Sequence, residues 1–274
     1  MSKPTVGIFG LTGCAGDQLV VLNCEDRLLD VVALIDIRDF LMASSDNDTA
    51  CALDIALVEG AVLSKRDAET LLAIRKRAKT LVALGTCAVW GGVAAMDRGL
   101  DRAKLLEEVY GEVGCGYDST PAQALHEVVK VDFNITGCPI EKEHFIAAVG
   151  ALLNGDTPLY PEYPVCTECR MRENNCLLIE HGELCCGPIT AAGCNARCPE
   201  LRVVCTGCRG PIGDANPSSL LATLQERGFE RERIAARLRT FAPEGVAQGT
   251  PSSSTIWPAW KGTAASRSKW KATP

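Results

Sequence analysis

The chain is 274 residues long, 47% hydrophobic and 23% charged, with 28 basic and 34 acidic side chains, a formal net charge of −6 and fifteen cysteines. That length suits one large domain or two, and because basic residues form no block outside the run from Arg267 to Lys271, nucleic acid and anionic membranes are not expected partners. No secretory or twin-arginine signal opens the sequence and no segment approaches the roughly 20 apolar residues of a membrane span, so a cytoplasmic location is expected, where so many cysteines are not disulfides.

The first half alternates strands and helices, the pattern of an α/β parallel sheet covered on both faces. Residues 5–11 form an apolar, β-branched run that stops at Thr12-Gly13, a first strand. Apolar spacing predicts one helix over 17–29 with Asp17 as its N-cap. A buried-type strand over 54–58 ends at Glu59-Gly60, and an amphipathic helix over 65–78 starts from Ser64, with Asp67 three residues on. The next strand, 80–84, stops at Gly85-Thr86-Cys87. A helix over 102–110, a short strand near 131–135, the turn Gly137-Cys138-Pro139 and a helix over 141–153 complete this half.

Open α/β sheets form their sites beyond the carboxyl ends of strands. Cys14, Cys87 and Cys138 each follow a predicted strand and sit in glycine- or proline-bearing turns, so the reading is shared ligation in one crevice, with Glu59 past a fourth strand beside them. The competing reading is ordinary buried thiols, which are common in cores.

From Cys166 to Cys208, nine cysteines fall within 43 residues. Eight form the ladder Cys166-x2-Cys169-x6-Cys176-x8-Cys185-x8-Cys194-x3-Cys198-x6-Cys205-x2-Cys208, and Cys186 sits beside Cys185. Eight thiolates make two four-ligand centres, and thiolate sulfur selects zinc, copper(I) or iron–sulfur clusters. Two interleaved zinc sites would account for all eight, but a structural zinc module gives no reason for the three glycine-flanked cysteines of the first half, whereas a row of iron–sulfur cubanes does. The segment has few apolar runs, so metal centres are expected to hold it, with short helices over 218–227 and 231–239 as caps. From Ala242 on, glycine, proline, serine and threonine without periodicity predict a disordered tail.

As an ordered set these motifs resemble the small, electron-transfer subunits of nickel–iron hydrogenases, most of all the cytosolic methyl-viologen-reducing and sulfhydrogenase types. The stretches that carry the resemblance are Leu11-Thr12-Gly13-Cys14-Ala15-Gly16-Asp17-Gln18, Val58-Glu59-Gly60-Ala61-Val62, Gly85-Thr86-Cys87-Ala88-Val89-Trp90-Gly91-Gly92, Gly137-Cys138-Pro139, Cys185-Cys186-Gly187-Pro188-Ile189-Thr190 with Cys194, and Cys205-Thr206-Gly207-Cys208-Arg209-Gly210-Pro211. They cover roughly residues 3–240. The resemblance implies a flavodoxin-like domain over 1–158 and a small cysteine-rich iron–sulfur domain over 159–241, followed by the tail, 242–274.

It also implies three 4Fe-4S clusters: a proximal one on Cys14, Cys87, Cys138 and the position of Asp17, and two more in the ladder. On the Cys185-x8-Cys194 and Cys205-x2-Cys208 landmarks, Cys166, Cys169, Cys176 and Cys185 are assigned to the distal cluster and Cys194, Cys198, Cys205 and Cys208 to the medial one. A ferredoxin-like exchange that gives Cys208 to the first set stays open. Implied partners are a large catalytic subunit carrying the nickel–iron site and a further electron acceptor, subunit or redox protein. The rival assignments are a complex I-type cluster subunit, which shares the α/β half but not the ladder, and a zinc-stabilised module without redox role.

The departure from the family is Asp17, where related proteins carry cysteine. An aspartate keeps the ligand charge at −1 but offers a harder oxygen donor. Helix capping is the competing role. Cys24, Cys51, Cys115 and Cys186 read as packing thiols, and His126, His144 and His181 as solvated or packed, with His181 placed to hydrogen-bond near a cluster.

Overall fold

The structure, a computed structural model, describes residues 3–24, 26–98 and 100–241. Five strands form one all-parallel sheet in the order β2-β1-β3-β4-β5, from β1 (Thr5–Gly10), β2 (Asp36–Asp39), β3 (Leu53–Glu59), β4 (Ala78–Leu84) and β5 (Phe133–Ile135). This is the flavodoxin-like doubly wound order, in which the chain reverses direction of winding between β1 and β3 and leaves a crevice there. The helices are α1 (Gly16–Leu22), α2 (Asp26–Leu34), α3 (Lys65–Arg77), α4 (Gly85–Trp90), α5 (Arg102–Tyr110), α6 (Lys142–Leu153), α7 (Val165–Met171), α8 (Arg197–Glu200), α9 (Pro217–Glu226) and α10 (Arg231–Arg239). No helix among the described residues is long and apolar enough to cross a membrane.

Because strand side chains alternate, a sheet buried on both faces builds two cores. Ile55 and Leu57 of β3, with Val82 and Leu84 of β4, join Val6, Ile8, Val21, Phe145 and Val149 on one face. Ala56, Val58, Leu81 and Ala83 join Leu71, Ile74 and Leu125 on the other. Ser64 caps α3 as its sequence predicts, accepting the Asp67 N–H at 3.0 Å.

Three differences from the sequence reading bear on how the sites are held. The predicted helix 17–29 is two helices, α1 and α2, and Asp17 does not cap either: Ala15, in the left-handed region at φ 61°, holds the cap position and Asp17 lies in the first turn. Strand β2 is absent from the sequence reading, because Asp-Ile-Arg-Asp is a short, mostly charged edge strand with one apolar residue. The cysteine ladder is not held by metal sites alone. Leu220, Leu221 and Leu224 of α9, with Ile234 and Leu238 of α10, pack on Val165, Leu178, Leu184, Ile189 and the buried thiols of Cys185, Cys186 and Cys205, a third hydrophobic core. The tail expected to be disordered lies outside the described residues.

Candidate metal centres

The C-terminal ends of β1, β4 and β5 deliver Cys14, Cys87 and Cys138 to one place, with Asp17 among them. Cys87 is carried by α4, which starts directly on Gly85. Burial and then the neighbouring Asp17 and Cys14 push the Cys87 thiol up; burial followed by Cys87, Asp17 and Cys14 pushes Cys138 up to about 11. Cys14 is exposed and the other two half-buried, so the group opens at the surface.

Asp17 is 6% exposed, and its Oδ1 accepts the Ile140 N–H at 2.8 Å. Its carboxylate lies against Gly85, whose φ of +84° and lack of a side chain leave the space it fills. Burial is the chief reason that its carboxyl rises to about 7; the Ile140 N–H opposes this and Glu59 adds to it. Glu59 is 2% exposed and caps α1 from the end of β3, accepting the backbone N–H groups of Asp17 at 3.3 Å and Gln18 at 3.2 Å and the Gln18 side-chain amide at 2.8 Å. A carboxylate at a helix N-terminus is favourably placed, and here it also fixes the backbone that carries Asp17.

In the ladder, burial followed by Cys185, Cys169 and Cys176 raises the Cys166 thiol to about 12, and Cys185 is raised by burial against the N–H groups of Gly187 and Cys205, with Cys176 and Cys169 beside it. These four are neighbours. Cys208 is raised to about 11 by burial, then by Cys194, Cys138 and Cys198. Cys205 lies beside Cys185 and Cys186; burial is the chief cause that raises its thiol, and Thr190 and the Gly207 N–H oppose it. Cys186 is buried in the third core, where its backbone N–H donates to the Cys205 carbonyl.

The donor chemistry fits iron–sulfur clusters. Thiols that raise one another by burial and crowding are those a multivalent metal core holds ionised. Backbone N–H groups meet the sulfurs of Cys176 from Ile179, of Cys194 from Ala196 and of Cys87 from Val93, stabilising the thiolate form. Glycines leave room around the sulfurs: a Cβ at Gly92 would stand 2.6 Å from Cys87 Sγ, and one at Gly187 would stand 3.1 Å from Cys166 Sγ and 3.5 Å from Cys185 Sγ.

The two halves meet at Thr86. Its hydroxyl donates to the Cys208 carbonyl and accepts the Gly137 N–H at 3.2 Å, tying the Cys138 turn to the Cys208 turn. Of the remaining cysteines, Cys24 is buried in the first core and Cys51 is half-buried, but Cys115 is exposed and not a packing thiol. His126 and His181 are exposed. The histidine that sequence spacing did not single out is His144, whose Nδ1 lies 3.0 Å from Nη2 of the buried Arg209. The two are 65 residues apart, so no local pattern reveals the pair.

The sequence profile of the family described as NADH ubiquinone oxidoreductase, 20 Kd subunit, matches residues 14–152. The chain is 39% identical over 237 residues to sulfhydrogenase 2 subunit delta of Pyrococcus furiosus, covering 86% of this chain and 98% of that one. Among solved structures it is similar to a chain of a NAD+-reducing nickel–iron hydrogenase in the hydrogen-reduced state, with 28% identity, a TM-score of 0.52 and coverage of 58% of this chain and 96% of that one. The fold extends over nearly the whole chain in the actinobacterial-type nickel–iron hydrogenase from Ralstonia eutropha, with a TM-score of 0.55, 17% identity and 96% coverage of both chains.

Proposed function

We propose that this chain, which belongs to the NADH ubiquinone oxidoreductase 20 kDa subunit family and within it to the small-subunit type of nickel–iron hydrogenases, is an electron conduit between a partner's nickel–iron site and an external acceptor. Three 4Fe-4S clusters would supply one-electron chemistry in series. Cys14, Asp17, Cys87 and Cys138 hold the proximal one; Cys194, Cys198, Cys205 and Cys208 the medial one; Cys166, Cys169, Cys176 and Cys185 the distal one.

The observation that carries this reading is the junction of Cys138 with Cys208. Cys138 is among the neighbours that raise the Cys208 thiol, and Thr86 bonds both turns, so two groups of ligands from different halves abut. Cys166, Cys169, Cys176 and Cys185 form a further group, with Cys205 beside Cys185. These neighbour relations support a reading with three donor sets. Cys208 abutting Cys194 and Cys198 supports its place in the medial set over the ferredoxin-like exchange.

Hydrogen chemistry belongs to the partner in this reading, because this chain's cysteines are committed to its own clusters. A large subunit would dock over Cys14, Cys87 and Cys138, where Cys14 is exposed and Val93 presents apolar surface beside Cys87. Mixing the anaerobically purified chain with a separately purified large subunit should produce hydrogen-dependent dye reduction, which neither gives alone; activity from the isolated chain would contradict the assignment. Ligation by Asp17 predicts that Asp17→Cys and Asp17→Ala both alter the proximal electron paramagnetic resonance signal of the reduced protein. An unaltered signal in both removes Asp17 from the ligand set.

A further inference from the structure

Arg209 follows Cys208 directly and is 2% exposed. Its Nε donates to the Ala192 carbonyl at 2.9 Å, its Nη2 lies 3.0 Å from His144 Nδ1, and its Nη1 is buried without a hydrogen-bond partner. Arginine only donates, so His144 Nδ1 accepts and the ring carries its proton on Nε2. His144 thus brings no negative charge to the pair. Among the described residues no carboxylate forms an ion pair with Arg209.

A buried guanidinium without an anion is strongly unfavourable, so something anionic must face it. The guanidinium crosses Gly193, whose φ is +114°; a Cβ there would stand 2.8 Å from Nη2 and overlap the His144 ring. That crossing brings the charge to the Cys194 segment while its backbone is anchored at Cys208. Burial raises both thiols; at Cys194 Glu168 adds to the rise and the Ala196 N–H and Arg209 oppose it, and at Cys208 the thiols of Cys194, Cys138 and Cys198 add to it and Arg209 opposes it. Glu168 accepts the N–H groups of Gly193 at 2.7 Å and Ala196 at 3.1 Å and lies 3.9 Å from Cys194 Sγ, so it stays an anion on the Cys194 side without forming an ion pair with Arg209. His144 is held in turn by Tyr160, edge-on at 6.0 Å between ring centroids.

We propose that Arg209 is a positioning charge for the cluster held by Cys194, Cys198, Cys205 and Cys208, a fixed cation that raises its midpoint potential relative to its neighbours and makes it the favoured resting place of an electron. The inference rests on the three-cluster reading. One electron leaves an adjacent cluster and arrives here; no bond forms or breaks, the net charge at this station falls by one, and a buried cation stabilises the more negative state.

The test is a redox titration followed by electron paramagnetic resonance on the anaerobically purified holoprotein, with iron counted in each sample. Arg209→Gln should move one of three transitions to more negative potential, by about tenfold in the reduced-to-oxidised ratio at fixed potential, about 59 mV for one electron, while the other two stay in place. Arg209→Lys keeps the charge and should restore most of the shift. If Arg209→Gln fails to assemble, His144→Glu, which sets a carboxylate against the retained arginine, should give the negative shift instead. Three transitions at unchanged potentials in an iron-replete Arg209→Gln or His144→Glu variant overturn the proposal, as do equal shifts in the Gln and Lys variants. A wild-type protein with fewer than three transitions overturns the three-cluster reading, and the role of Arg209 with it.

Discussion

In the α/β half, the proposed ligands stretch from Cys14 to Cys138 and meet only because three strand ends converge, whereas the ladder gathers eight cysteines within 43 residues. The two apolar cores of the sheet contain none of the proposed ligands, so the proximal site is set by the fold. In the ladder the dependence is partly reversed: Cys185, Cys186 and Cys205 are themselves core residues, and short turns rather than strands set the sulfurs. Geometry imposed by a scaffold should survive loss of metal, and geometry imposed by ligation should not.

The largest effect that can break this comparison is removal of iron. In metal-free protein, amides of β1, β3 and β4 should keep their protection from hydrogen exchange while the ladder turns at Gly187, Ala196 and Gly207 lose theirs. Uniform protection across both regions would show that α9 and α10 alone hold the ladder. Next in size, Leu224→Ala, which empties the third core at a fully buried site, should cost about 2–5 kcal/mol and release iron from the ladder before the proximal site. Chemical denaturation with iron release followed in parallel checks the order.

Gly85→Ala should act on the other side of the comparison. A methyl at φ +84° would overlap the Asp17 carboxylate, so the substitution should cost more than about 1 kcal/mol and disturb the proximal signal while the other two persist. Thr86→Val removes the link between the halves and leaves the Gly137 N–H and the Cys208 carbonyl without it; about 1–3 kcal/mol is expected, with slower electron exchange between proximal and medial stations and unchanged iron content. Freeze-quench spectroscopy of the reduced protein resolves the two. The smallest effect belongs to Ser64→Ala, about 1 kcal/mol from the lost α3 cap, with all three cluster signals retained.

These contrasts follow how much of the molecule its sequence makes readable. Buried parallel strands are runs of apolar residues ending in glycine turns, so β1, β3 and β4 and the cysteines beyond them could be placed from pattern alone. The grouping of Cys166, Cys169, Cys176 and Cys185 follows their closeness in sequence. Edge strand β2, half-exposed and charged, carries no such pattern. The break between α1 and α2 was hidden by apolar spacing that runs on through the turn at Asn23 and Cys24. Helix α4 is masked by its shortness and the glycines at both ends, Gly85 and Gly91-Gly92, and α7 by a sequence in which cysteines replace the usual apolar stripe. Glu59 showed as a charge at a strand end, but its role as the cap of α1 depends on two strands being adjacent in the sheet. Arg209 and His144 depend on packing between the two halves, which no spacing encodes.

The central claim is that both regions together hold three clusters in series. Iron, acid-labile sulfide and zinc content of the anaerobically purified chain test it most directly: about twelve irons and as many sulfides per chain are predicted, with no stoichiometric zinc. About four irons would leave only the sheet-borne site and contradict the account, and zinc without sulfide would replace the conduit with a structural module.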